Sequence, residues 1–170
     1  ATRENGILHT ADLQPGSGAW DGIGWLSASK KLGFRPSASL IASFTYRLTG
    51  KNAKYLGNSA TYKFGNSIQS NLGYTDQFLI SNILVNSGLI FKYRKSTEDI
   101  IDGSKIPNTG GEWIFVRPEL GVQISPSIRL DTRLELPIYS YVDGTQLTPT
   151  TRFTVGMFFT LKKKEANILN

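Results

Sequence analysis

Thr154-Val155-Gly156-Met157-Phe158-Phe159-Thr160-Leu161 is the stretch on which the reading of this chain turns. Its pattern is polar, any, Gly, any, any, apolar, any, apolar. With Phe153 in front of it, Phe153, Val155, Met157, Phe159 and Leu161 fall on one side of a strand. Thr154, Gly156, Phe158 and Thr160 fall on the other, since side chains alternate with a period of two. Alternation does not say which side meets water. Deciding that decides the fold.

Composition narrows the choice. A chain of 170 residues holds one domain. It is 39% hydrophobic and 19% charged, and no run approaches the length of a transmembrane helix. A membrane β-barrel keeps such an unremarkable average, because every strand alternates. Glycine (17) and aromatics are plentiful and cysteine is absent, which is compatible with an oxidising compartment. The net charge of +6 is dispersed. The one cluster, Lys162-Lys163-Lys164, reads as a solvated tail, and no nucleic-acid partner is expected. Residues 1–18 lack the basic start and apolar centre of a signal peptide.

Helical periodicity is nearly absent. Seven strands are predicted at about 20–31, 37–49, 62–75, 79–94, 113–124, 127–140 and 150–161. Most are 12 residues or longer, against about 5–6 for soluble strands and about 9–11 for a tilted membrane strand. Short connections fall at 32–36, near Asp76-Gln77-Phe78, and at Ser125-Pro126-Ser127. Longer ones fall at about 50–61, 95–112 and 141–149. Short turns on one rim and long loops on the other match outer-membrane barrels, whose short side is periplasmic. The fold class expected is all-β, an antiparallel up-and-down transmembrane β-barrel with about seven strands visible. Residues 1–19 are expected to be an extracellular loop or the remnant of an upstream strand, 20–161 the barrel strands, and 162–170 a basic periplasmic tail. Barrel strands come in even numbers, so this reading makes the chain the C-terminal portion of a larger barrel. The alternative is a soluble β-sandwich or lipocalin-like barrel with its apolar face inward.

In the membrane reading, apolar faces such as Leu40, Ala42, Phe44, Tyr46 and Leu48 meet lipid. Trp20, Tyr46, Tyr62, Tyr74, Tyr93 and Trp113, near strand ends, fit interfacial girdles. The first strand keeps no single phase over Trp20, Ile23, Trp25 and Leu26, so a bulge is expected near Gly22–Gly24. Pro118, in mid-strand, cannot donate to the ladder and marks a bulge or a local opening. The lumen-facing candidates are Arg47, Lys63, Lys92, Arg94, Arg117, Glu119, Arg129, Asp131, Arg133, Glu135 and Arg152. Eight basic against three acidic groups suit an anion-leaning interior. Alternatively, Arg117, Glu119, Arg129, Asp131, Arg133 and Glu135 form a cross-strand ion-pair lattice that only stiffens the wall.

Two resemblances add to this. Thr154, Gly156, Phe159 and Leu161 resemble the terminal sorting strand by which the barrel assembly machinery recognises outer-membrane β-barrels, although the chain runs on into a Lys-rich tail. Residues 136–149 (Leu-Pro-Ile-Tyr-Ser-Tyr-Val-Asp-Gly-Thr-Gln-Leu-Thr-Pro), Gly16-Ser17-Gly18-Ala19-Trp20-Asp21 and Pro118-Glu119-Leu120-Gly121 resemble a family of bacterial outer-membrane channels and transporters associated with aromatic (phenol) degradation. That resemblance spans about 16–161. It implies localisation in the bacterial outer membrane, contact with its lipid and lipopolysaccharide, and passage of a small molecule, apolar or aromatic ones among them. A structural barrel whose loops bind another envelope protein is the alternative within the membrane class.

Catalytic chemistry finds little to work with. Barrel lipases and proteases need His beside Ser or acidic groups, and the single histidine, His9, stands in the segment before the first strand. Without cysteine there is no thiol nucleophile, and with one His no soft-metal site. No catalytic residue, metal or cofactor is expected.

Overall fold

The structure, a computed structural model, describes residues 3–4, 7–8, 16–55, 59–142 and 144–161. His9 and the tail 162–170 lie outside these. The elements are β1 (Arg3–Glu4), β2 (Ile7–Leu8), β3 (Gly22–Leu32), β4 (Arg35–Leu48), β5 (Asn52–Tyr55), β6 (Ala60–Lys63), β7 (Ser67–Ile80), β8 (Ile83–Ser96), β9 (Ile100–Ile101), β10 (Ser104–Lys105), β11 (Gly111–Ser125), β12 (Ile128–Tyr141) and β13 (Arg152–Phe159). Every pairing is antiparallel, and no helix occurs among the described residues.

The seven long strands form one sheet in the order β13-β12-β11-β8-β7-β4-β3. Each lies beside its sequence neighbour, an up-and-down meander. The sheet is open, with β3 and β13 as its two edges.

The expected strands are present, with shifted ends. The turn anticipated near Asp76 falls instead at Ser81–Asn82, where both φ angles are positive (48° and 66°), as a tight hairpin requires. Asp76 stays inside β7 because its carboxylate is held by Ser37 Oγ at 2.8 Å and Arg35 Nε at 2.6 Å. No bulge interrupts Gly22–Gly24. Pairing with β4 is continuous from Gly22↔Leu48 to Lys31↔Ser39, and the irregularity comes between Lys31 and Leu32. Register with Thr45 therefore puts Trp25 on the face opposite to Leu26.

The expected strand 62–75 is two elements. β6 belongs to a second, four-stranded sheet, β10-β9-β6-β5, built from the first two of the three longer connections. The break at Phe64–Asn66 is fixed by hydrogen bonds to the other loop. Gly65 N–H donates to Asp99 Oδ1 at 2.7 Å, Asn66 N–H to Thr97 Oγ1 at 2.9 Å, and Thr97 N–H to Asn66 O at 2.9 Å. A Cβ on Gly65 would come within 1.8 Å of Thr97 O, so only glycine fits this crossing. Tyr62 sits between Tyr55 and Phe64, with ring centroids at 4.8 and 5.1 Å, and its hydroxyl donates to Asp99.

Strands of the small sheet pack on neither face of the large one. The faces of the large sheet nonetheless differ in exposure. Along β4, Leu40, Ala42, Phe44, Tyr46 and Leu48 are exposed, while Ser39, Ile41, Ser43, Thr45 and Arg47 are half-buried. The most covered large side chains on the polar face are Ile90 and Phe115, 3% and 2% exposed. On the apolar face Leu72 is 61% exposed, and Phe44, Leu89, Phe91, Leu120 and Phe153 are exposed too, while Val85 is buried and Ile114, Val116, Leu130, Leu134 and Leu136 are half-buried.

Candidate functional site

Register, more than sequence phase, defines the polar face. Thr45, Gln69, Arg94 and Trp113 line up across β4, β7, β8 and β11. Ser43, Asn71, Lys92, Phe115 and Pro137 follow in the next row. Ile41, Gly73, Ile90 and Arg117 form the third row. Glu119 stands opposite Arg133, Gly121 opposite Asp131, and Glu135 opposite Arg152. Arg47, Lys92, Arg94, Arg117, Glu119, Arg129, Asp131, Arg133, Glu135 and Arg152 thus share one face.

Lys63 does not. It lies in β6 of the small sheet, opposite Ile100, because the chain leaves the large sheet at Gly65. Tyr139 also changes side relative to the simple alternation. A register shift at Ile114/Phe115 pairs Phe115 with Pro137 but Ile114 with Tyr139, so Tyr139 joins the apolar face. At Pro118 the β11–β12 ladder skips Arg117 and Pro118 and resumes in unchanged register. The proline costs bonds without making a bulge.

The charges on β8, β11 and β12 are knitted together. Lys92 Nζ is 2.8 Å from Glu135 Oε2, and Arg117 Nε is 2.8 Å from Glu119 Oε1. Arg117 Nη1 lies 3.9 Å from Glu135, Arg133 Nε 3.6 Å from Glu119, and Arg129 Nε 2.7 Å from Asp131 Oδ1. Arg117 Nε finds no aligned hydrogen bond, so its contact with Glu119 is one of charge rather than direction. Aromatic rings take up two cations: Lys92 Nζ sits 4.7 Å from the Phe115 centroid and Arg94 Cζ 5.4 Å from that of Trp113. Trp113, expected in an interfacial girdle, is therefore covered beneath Arg94 on the polar face. Its Nε1 and Asn71 Oδ1 are buried without a partner.

At the long-loop rim Arg47 Nη2 meets Asp21 Oδ2 at 2.5 Å, and Gly50 N–H donates to Asp21 Oδ1 at 3.1 Å. The Arg47 hydrogen bond holds the Asp21 carboxyl below its ordinary range, against an opposing effect of burial. Nothing in the spacing of Asp21 and Arg47 announces this pair, because it depends on the chain folding back over the end of β4.

On β13, Thr154 and Gly156 lie on the polar face and Phe159 on the apolar one, with Thr160 N–H bonded to Ser127 O at 2.9 Å. Leu161 is exposed. A Cβ on Gly156 would meet only the Phe158 ring, at 3.3 Å, so close approach of β12 does not demand this glycine. Gly121 is the demanding one, since its Cβ would stand 2.4 Å from Asp131 Oδ1. Among the described residues no group of three or more His, Cys, Asp or Glu is placed to hold a metal.

Comparison with protein-family models, with curated proteins and with solved structures gives no match. The resemblances drawn from the sequence rest on the residues quoted for them.

Proposed function

We propose that this chain forms part of the wall of a bacterial outer-membrane β-barrel that passes a small molecule, without catalysis. The observation that carries this reading is the inverted exposure of the large sheet. A Leu or Phe left in water forgoes about 1.5–3 kcal/mol of burial, and here Leu40, Phe44, Leu48, Leu72, Leu89, Phe91 and Leu120 are exposed on one face while Lys92 and Glu135 are nearly covered on the other. Lipid removes that penalty and water would not. Strands of 11 to 15 residues from β3 to β12 (the loop strands apart) suit a tilted crossing. Two edge strands without partners suit a larger closed barrel, in which no edge is left in lipid. In this reading the long-loop rim faces outward, lipid and lipopolysaccharide surround the apolar face, and the assembly machinery reads Thr154, Gly156, Phe159 and Leu161.

The ordered four-stranded sheet at the long-loop rim favours a second reading, a scaffold whose loops dock another envelope protein. Reconstitution into liposomes of the whole closed barrel to which this chain contributes tests the first reading: solute-dependent swelling or stepwise conductance is expected. Membrane-inserted protein with neither leaves the scaffold. Monodisperse folded protein from a detergent-free soluble fraction would defeat both.

A further inference from the structure

The polar face is divided into two halves of different chemistry. On β8, β11 and β12 its charges are engaged with one another or with rings. On β3, β4 and β7 the same face is neutral between Arg47 at one end and Lys31 at the other. Trp25, Ser27 and Ser29 come from β3, Ser43 and Thr45 from β4, and Gln69 and Asn71 from β7, all in register. Ser27, Ser29, Ile41, Ser43 and Asn71, with Ala28 and Ala42 from the other phase of the two strands, line a cavity of about 310 Å³, at the small end of ligand sites. Asn71 Nδ2 donates to Ser43 Oγ at 2.9 Å, which fixes the amide beside the hydroxyls. One pleat repeat along β3 from Ser27 stands Trp25, 74% exposed, its indole stacked on no ring or cation among the described residues.

We infer that this neutral half binds an uncharged polyhydroxylated ring, a mono- or disaccharide, with the sugar's C–H face on the Trp25 indole and its hydroxyls on Ser27, Ser43 and Asn71. The inference deepens the channel reading and rests on it for the sugar's passage. A serine hydroxyl both donates and accepts, and an amide offers both kinds of group, which matches a sugar hydroxyl's dual character. No cation lines the cavity to draw an anion, and Lys92, the neighbour of Asn71, is bound to Glu135, and Arg47 to Asp21. A purely apolar solute would cover the hydroxyls without pairing them, which site hydroxyls penalise. The indole supplies the flat apolar platform that a pyranose face fits.

The test is a fluorescence titration, in detergent micelles, of the whole barrel to which this chain contributes, with maltose and separately with benzoate. Saturable quenching or a blue shift with maltose is expected, lost in Trp25→Leu and retained in Trp20→Phe. Ser43→Ala should weaken apparent affinity about 3- to 10-fold, one hydrogen bond's worth, and guards against misfolding of the tryptophan variant. Circular dichroism verifies the fold of each. No saturable maltose response in folded protein, a response that survives Trp25→Leu, or saturation by benzoate alone overturns the site. Conductance without a maltose response keeps the channel and removes the sugar. Maltose binding in micelles without conductance keeps the sugar and removes the channel.

Discussion

Lys92 and Glu135 are bound across a strand that belongs to neither of them. Lys92 is on β8 and Glu135 on β12, yet Nζ and Oε2 are 2.8 Å apart, over the top of β11 and beside the Phe115 ring. Both side chains are nearly covered, 13% and 11% exposed. Such a bond ties three strands with one contact. Losing one partner should cost about 1.5–3 kcal/mol, the range for removing a hydrogen bond to a charged group. Lys92→Met and Glu135→Gln should each lower the urea midpoint, and the double variant should lose less than the two losses added. Strict additivity would show that the pair is not coupled.

Face identity can be read from arginine. At Leu72, 61% exposed, a protein bathed in water would accept arginine with a change within about 0.5 kcal/mol. A lipid-facing position near the bilayer centre should lose about 2–4 kcal/mol. We expect the larger loss for Leu72→Arg and Leu120→Arg in refolding titrations into vesicles. A near-neutral result at both would place the apolar face in water.

Acid should loosen the long-loop rim at Asp21. Asp21 has its pKa lowered by Arg47, so its contribution is complete above the ordinary aspartate value near pH ~3.9 and disappears as pH falls through the lower, folded value. Hydrogen exchange at the Gly50 amide, which donates to Asp21, should rise on acidification relative to an Asp21→Asn variant measured at the same pH. Equal ratios at neutral and acid pH would remove Asp21 as the cause.

The glycines separate loop docking from strand pairing. Gly65→Ala drives a methyl into Thr97 O and should release the small sheet, seen as faster proteolysis within residues 97–110 while strand content persists. Gly156→Ala meets only a ring edge at 3.3 Å and should leave stability within about 0.5 kcal/mol. In cells, a drop in assembled Gly156→Ala protein despite unchanged stability would mark a recognition role. Gly121 is no neutral comparator for this, because its Cβ would strike Asp131.

Much of this was legible along the chain. Period-two alternation over residues 37–49, 79–94 and 113–140 marks strands because the pleat sends successive side chains to opposite faces whatever their neighbours are. The open questions were ones that alternation cannot answer. Lys63, Gly65, Ser67 and Gln69 continue a period of two straight through a break that only Thr97, Asp99 and the glycine crossing create. Asp76 looks like a turn residue until Arg35 and Ser37 reach it. Asp102-Gly103, both with positive φ, is a hairpin signal in the second long loop that could have pointed to the β9–β10 pair.

The sequence by itself determined that the chain is all-β, where its seven long strands run, and that short turns and long loops alternate between them, because these follow from pleat geometry and turn chemistry within a few residues. Tertiary structure decided what depends on register between strands. It carried Trp25 to the polar face, moved Tyr139 to the apolar one, pulled Lys63 into a separate sheet, and brought Lys92 to Glu135 over β11. A shift of one residue in register moves a side chain through the sheet, and no local pattern contains that information.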